Sequence, residues 1–403
     1  MNHPRQSKAV FWAVQAACLL GFGLSWARGA AITRHDAAPA GLAAEIPRDT
    51  PLRVTPLYND PELISDDDLA AVLSQVRPLF KMKDLKPNFV EHALRIWGEN
   101  AVFQDPAVLS GAQLRDFLTD HGQYIASWGA AATPLLQDAT GGVAVRVAGE
   151  QGASVHHDHW LACLTEAGVA RHEPIFTPSG RAHTIDDALQ QALRDFRVDE
   201  REVEWSALAF GLWLPPRAGW YTGDGRHVTF DLIAERLLRG TTKWGVCHGT
   251  HRLYSMMALA RLDDEFDILS DEVHAAILAH LKSVRQLLID SQFPDGHWPS
   301  NWQDGALAVA KPVEDALYKK VISTGHHLEW LAIAPEELHP PRENLRKAAR
   351  WAIETTRAQT PAAIREFYTF FSHVGGALAL WRSVRPADFY SEWETHHPQP
   401  ATK

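Results

Sequence analysis

A thiol and two imidazoles crowd into five consecutive positions of this chain. Cys247, His248 and His251 sit in Trp244-Gly-Val-Cys-His-Gly-Thr-His251, just ahead of an apolar run with helical patterning. Zinc accepts such a ligand set, and three protein ligands leave one position open for water. Cys247 and His248 are the candidate metal ligands, with His251 beside them. Cys163 or the tract His156-His157-Asp158-His159 would complete the shell. Neighbouring residues on a helix point about 100° apart, so Cys247 and His248 share one ion only from the turn before the helix. The competing reading makes Cys247 a small buried hydrophobe and the protein free of cofactor.

General acid–base chemistry asks for paired titratable groups in a dry pocket. His248, His251, His326, Glu329 and His373 are the candidate catalytic residues. Glu329 follows His326 by three positions, so the two share a helical face. His92, Trp244, Asp295, Trp298, Trp302 and Trp330 are the candidate substrate contacts, the indoles serving as flat platforms. The competing reading has the histidines capping helices and tying them together, each satisfied by its neighbours.

The elements that must position these groups are helices. Helical spacing and punctuation predict helices over 88–100, 109–119, 184–196, 200–213, 228–239, 247–262, 270–290, 311–333, 342–357 and 361–383. Four of them share a layout in which His or Glu precedes an apolar run. They open at Glu91-His92, at Cys247 to His251, at His326-His327 and at Ser372-His373. Amphipathic helices such as 270–290 and 342–357 lie between them. A helix that is apolar all round must be buried on most sides, whereas an amphipathic one faces water on one side. The alternation therefore predicts an inner and an outer layer, with the polar openings of the inner helices meeting at one mouth. Free N–H groups at those helix starts would favour an anionic ligand. The stretch 140–149 alternates and is β-branched, which predicts a strand within an irregular insertion at about 138–182.

The hairpin alternation, with the turn Gln292-x-x-Asp295-Gly296-x-Trp298, resembles the α/α-toroid superfamily of terpenoid cyclases, prenyltransferase-like proteins and several carbohydrate-active enzymes. The turn is similar to the Gln-Trp motif of squalene cyclases. Their aspartate-rich acid motif has no counterpart, since Asp263-Asp-Glu-Phe-Asp267 follows a different pattern. Cys247-His248-Gly249 resembles the zinc-binding Cys-His-Gly of lanthionine-synthetase-like toroids. The resemblance covers roughly 184–383 and implies a mainly α, toroidal body with a small strand-bearing insertion, spanning 59–385.

Bulk properties narrow the partners. The 403 residues are 46% hydrophobic and 22% charged, ordinary for a globular protein, with 15 Trp and 21 His. A net charge of -10 argues against a broad nucleic-acid surface, which needs clustered Lys and Arg. Residues 1–30 read as an export signal: Arg5 and Lys8 lead an apolar run over 9–26, followed by small residues. The same run would serve as a membrane anchor. The expected location is periplasmic or secreted, or tethered to the membrane by 9–26. Residues 31–58 read as a linker and 386–403 as a loose tail. Cys163 and Cys247 are the cysteines outside the signal, and an oxidising compartment would permit a bridge. The pocket, the compartment and the fold analogy together point to a small molecule or glycan, acted on by lyase or hydrolase chemistry. The alternatives are a non-catalytic binding or scaffold toroid and a zinc-dependent toroid enzyme.

Overall fold

A computed structural model describes residues 46–215, 219–240 and 245–397. The architecture is mainly α, with three two-stranded antiparallel ribbons. In chain order the helices are α1 (Asp66–Gln75), α2 (Pro87–Trp97), α3 (Gly111–Thr119), α4 (His121–Trp128), α5 (His159–Ala167), α6 (Ile185–Asp195), α7 (Glu204–Trp213) and α8 (Phe230–Arg239). They continue with α9 (Thr250–Phe266), α10 (Asp271–Ser291), α11 (Ala306–Ala310), α12 (Leu317–Ala332), α13 (Arg342–Arg357), α14 (Pro361–Glu366), α15 (Tyr368–Trp381) and α16 (Pro386–His396).

Six of these helices are buried on most of their surface. They are α2, α5, α7, α9, α12 and α15. All ten residues of α7 are buried, from Glu204 to Trp213. Each of the six packs on the next in chain order, and α15 packs back on α2, so the packing closes on itself. The amphipathic helices α1, α3, α6, α8, α10 and α13 alternate with them along the chain, each keeping a polar face outward. Their starts carry local signals. Ser65, Ser110, Thr229 and Ser270 accept from backbone N–H groups as N-caps, and acids occupy the first turns of α1, α6 and α10.

The turn after α10 does structural work. The Gln292 amide donates to the carbonyls of Gly296 and Asn344, both at 2.9 Å, which staples α10 to the start of α13. Gly296 has φ +106°, and a Cβ there would lie 2.3 Å from the Lys347 carbonyl oxygen, so only glycine fits. Trp298 is fully buried, with its indole N–H on the Leu288 carbonyl at 2.9 Å.

Three expected boundaries are corrected. The stretch 138–182 bears strands as expected but is not irregular throughout. It holds the hairpin β1 (Leu136–Ala139) with β2 (Gly142–Val145) and the first strand of β3 (Pro174–Phe176) with β4 (Ala182–Thr184), and between them the buried helix α5. Eight of the nine residues of this helix are buried, so it shows no polar face, and the His-rich tract before it hides its start. The supposed tail is helical from Pro386 to His396, with Pro386 at the first helical position and Tyr390 and Glu394 buried. Residues 46–58, read as linker, lie against the body. The Leu52 N–H donates to the Leu212 carbonyl at 2.9 Å. Arg48 Nη1 reaches the carbonyls of Trp213 and Leu214 at 3.0 and 3.1 Å, supplying donors that the end of α7 lacks. Two smaller differences concern helix ends: the span 311–333 starts at Leu317, and 361–383 breaks at Phe367 into α14 and α15.

No helix among the described residues is long and apolar enough to cross a membrane. The segments 1–30 and 9–26 and residue Trp244 lie outside the described residues. Cys163 and Cys247 are both free thiols, so the two do not bridge.

Candidate functional site

Each of the six buried helices contributes one aromatic ring to a common centre. The rings are His92 from α2, His159 from α5, Trp205 from α7, His251 from α9, His326 from α12 and His373 from α15. Successive centroids lie 4.7, 4.4, 4.5, 4.6 and 3.8 Å apart, and His373 returns to His92 at 5.2 Å. The circuit is closed. Residues spread over nearly three hundred positions thus become neighbours because the packed helices converge there, although His326 sits past the middle of α12 rather than at its opening.

Burial keeps these imidazoles uncharged. It pushes His92, His159, His251, His326 and His373 well below the usual histidine range, and the nearby histidines and Arg95 push the same way. Their tautomers follow from their partners. His92 Nδ1 lies 2.7 Å from the Asn88 carbonyl and His326 Nδ1 lies 2.7 Å from the Ile322 carbonyl. A carbonyl only accepts, so both Nδ1 atoms carry the proton and both Nε2 atoms present lone pairs.

One helical turn along lies a charged layer. Arg95 ion-pairs with Glu166 and, at 2.7 Å, with Glu329. The Tyr254 hydroxyl donates to Glu166 at 2.7 Å, and the guanidinium sits 5.1 Å over the Tyr254 ring. Burial opposes the charge on Arg95, but the two carboxylates outweigh it and raise its pKa well above the ordinary value. Glu329 Oε2 accepts from His373 Nδ1 at 2.8 Å. That fixes the His373 tautomer with a bare Nε2, which is buried and has no hydrogen-bond partner. The 3.1 Å approach of Arg95 to the same Nδ1 is then a contact and not a second hydrogen bond.

This layer is the floor of a cavity of about 410 Å³. His92, Arg95, Glu166, Tyr254, Glu329 and His373 line its deep end. Gly98, Ala167, Leu212 and Ser383, at or just past the ends of four buried helices, line its outer part, together with 52–56 and 385–388. The cavity therefore extends toward the helix C-termini. The expected mouth at the N-termini is corrected, and with it the expectation of free N–H groups facing an anion. Carbonyl ends and the negative pole of the helix dipoles face the outer part instead, balanced by Arg53 and Arg385.

A second group lies on the other side of the circuit. The ligand atoms of Cys247, His251 and His326 all fall within 4.8 Å of one another. His248 is not part of it. Its carbonyl accepts from the Trp302 indole at 3.1 Å, and its Nε2 is unpartnered elsewhere. Trp298, Trp302 and Trp330 surround His327 rather than the cavity. Trp302 meets that ring edge-on at 4.6 Å, Trp298 at 5.4 Å, and the Trp330 indole donates to His327 Nδ1 at 3.0 Å. Asp295 is 57% exposed at its side chain and holds His297 at 2.6 Å, away from the cavity.

The structure adds Glu91, Arg95, Glu166, Trp205 and Tyr254, none of which had been singled out as site residues, and it places His159 and Cys163, expected to complete a metal shell, with Glu91 instead. Glu91 and His159 form a fully buried pair joined at 2.5 Å, and His159 Nε2 meets Cys163 Sγ at 3.3 Å. Burial pushes the Glu91 carboxyl up to about 8, so it is protonated at neutral pH and donates to His159 Nδ1. Glu91→Gln keeps the donor and the shape, and should change stability by less than about 1 kcal/mol. Glu91→Ala leaves His159 unpaired beside a void and should cost about 2–4 kcal/mol. Urea unfolding of both variants at neutral pH checks the pair. Equal losses would mean that the carboxyl is ionised and that its charge matters.

No protein-family model, no curated protein and no solved structure matches this chain.

Proposed function

We propose that the chain is an α/α toroid whose pocket binds a small, hydroxyl-rich molecule and moves a proton on it through His373. The alternation of buried and amphipathic helices, with packing that closes on itself, supports the toroid. One observation carries the chemistry. His373 is held at Nδ1 by Glu329 on the floor of the cavity, while its Nε2 is bare. A base oriented by a carboxylate at its far nitrogen is the arrangement that proton abstraction requires.

The cavity suits a ligand of monosaccharide to disaccharide size, at the lower end of the range for small-molecule sites. Its outer part mixes Arg53, Arg385, Glu99 and Asp388 with apolar wall, which fits a polar molecule carrying both donors and acceptors. Neutral His373 Nε2 would take a proton from a sugar carbon while the oxygen on the next carbon leaves and is protonated by solvent, giving a lyase, or from a water that attacks the anomeric carbon while the glycosidic oxygen leaves and is protonated by solvent, giving a hydrolase. Arg95 ion-pairs with Glu329 at 2.7 Å and so helps to hold that carboxylate in place for either task. The N-terminal export reading favours a glycan fragment as the source of the ligand.

The test is a screen of glycan fragments, uronates included, with the purified chain. An elimination product absorbs in the ultraviolet through its new C=C bond, whereas hydrolysis yields only new reducing ends. His373→Ala should lower turnover by about 10²–10⁴-fold with the fold retained. Unchanged turnover in that variant, or ligands that bind elsewhere, would overturn the reading. Binding without turnover would point to a ligand-carrying protein.

A further inference from the structure

We propose that Cys247, His251 and His326 bind one zinc-class divalent cation, at a site separate from the proton-moving pair. Three observations carry this. First, the three ligand atoms converge within 4.8 Å, and thiolate with two imidazoles is a set that d-block cations such as zinc accept.

Second, the two imidazoles face each other through their basic nitrogens. His326 Nε2 and His251 Nε2 are 2.8 Å apart. His326 Nδ1 gives its proton to the Ile322 carbonyl at 2.7 Å, so its Nε2 is a lone pair. Without an ion, His251 Nε2 must carry a proton toward it, and His251 Nδ1 is then left bare. That Nδ1 is buried and has no partner, on a residue only 4% exposed. A cation bound by both lone pairs would replace this hydrogen bond, with the two Nε2 atoms parting to about 3.3 Å in a tetrahedral shell and His251 carrying its proton at Nδ1. A histidine whose far nitrogen donates to a carbonyl, as His326 does, is the usual form of a metal ligand.

Third, the backbone is forced to deliver the thiol. Cys247 (φ 46°, ψ 49°), His248 (φ 61°, ψ 29°) and Gly249 (φ 78°, ψ 6°) form three successive left-handed residues. Such a turn costs about 1–2 kcal/mol for each residue bearing a Cβ. It is held by the Thr250 hydroxyl on the Cys247 carbonyl at 2.7 Å and by the Trp302 indole on the His248 carbonyl. Strain of this kind gathers at ligand clamps. The result turns Cys247 toward His251 and leaves His248 outside the group.

Binding replaces the Cys247 S–H bond with an S–metal bond and releases that proton to solvent, while both imidazoles bind neutral. His373 stacks on His326 at 3.8 Å and so lies between this group and the cavity. Cys163 is committed to His159 and takes no part.

The experiment uses the full chain, stripped with chelator and reloaded with zinc or cobalt(II). The expected result is one ion per chain after dialysis and, for cobalt, a near-ultraviolet thiolate-to-cobalt charge-transfer band. Cys247→Ser should abolish that band, and His326→Gln should weaken cobalt binding by at least about tenfold. His248→Ala should leave band and stoichiometry unchanged, which separates this ligand set from an adjacent Cys247–His248 pair. Far-ultraviolet circular dichroism of each variant checks that it folds. Metal well below one ion per chain in folded wild-type protein, or a band that survives Cys247→Ser, overturns the proposal. Neither outcome depends on turnover at His373, so the two readings fail separately.

Discussion

Lowering the pH from 7.5 to 5 should unfold this protein steeply. Five buried histidines hold pKa values well below the ordinary 6.5 because burial penalises their charge. In the unfolded chain the same five titrate near 6.5. Below that pH the unfolded state binds more protons, so stability falls as pH falls. Each such group contributes about 1.4 kcal/mol per pH unit once its unfolded form is protonated. Glu91 works the other way. Its pKa is raised to about 8, so between that value and its unfolded 4.5 the folded state holds the extra proton, and acidification favours folding. These six groups alone, five lowered and one raised, leave a net four and contribute a limiting slope of about 5 kcal/mol per pH unit below pH ~5.5. From pH 7.5 to 5 the net loss from these groups is about 7 kcal/mol, comparable with the whole stability of an ordinary domain, about 5–15 kcal/mol. Urea midpoints at pH 7.5, 6.5, 5.5 and 5, with chelator present to keep metal out of the comparison, measure the slope. A slope no larger than that of one histidine would show that the imidazoles are hydrated or already charged in the fold.

The fold was legible in its grammar and obscure in its bounds. Apolar helices opening with histidine were visible at His92, His251, His326 and His373, and the structure places all four imidazoles in one circuit. The fifth, His159, was hidden by a loop-like tract of charged and polar residues. What marks it as buried is the run Trp160-Leu-Ala-Cys-Leu behind it. The charged layer had a signal that was used only once. Glu329 stands three positions after His326, and Arg95 and Tyr254 stand at the same offset from His92 and His251. One helical turn places a second residue directly beneath the first, so the rule that selected Glu329 would have selected the other two. The indoles misled for a physical reason. Trp298, Trp302 and Trp330 have one polar atom each on a large apolar body, and such residues pack inside as readily as they line pockets. The direction of the cavity was not legible at all. Which end is open depends on the strap at 46–58 and on α16, and neither carries a pattern that says what it covers.

Removing Arg95 should be among the most damaging single changes on the cavity floor. Its guanidinium is the only cation in contact with Glu166 and Glu329 among the described residues, and the side chains of all three are at most 13% exposed. Arg95→Ala leaves two carboxylates in a dry site, with the Tyr254 hydroxyl and His373 Nδ1 as remaining donors. Breaking a buried ion pair from one side costs about 3–5 kcal/mol, because the orphaned charge has lost its solvent as well as its partner. The pH dependence of the loss identifies its cause. A carboxylate left uncompensated in a dry site loses its burial penalty when acid neutralises it. The deficit of Arg95→Ala against wild type should therefore be largest at pH 7.5 and shrink toward pH 5. Arg95→Lys should recover only part of it, since one ammonium cannot span two carboxylates as the planar fork does. Arg95→Met combined with Glu166→Gln and Glu329→Gln removes charge from both sides and should restore most of the stability, while leaving His373 without its orienting carboxylate. A deficit under about 1 kcal/mol for Arg95→Ala at pH 7.5 would mean that water enters the floor of the cavity and screens the carboxylates. In that case His373 would be hydrated too, and its neutral, oriented state would have lost its physical basis.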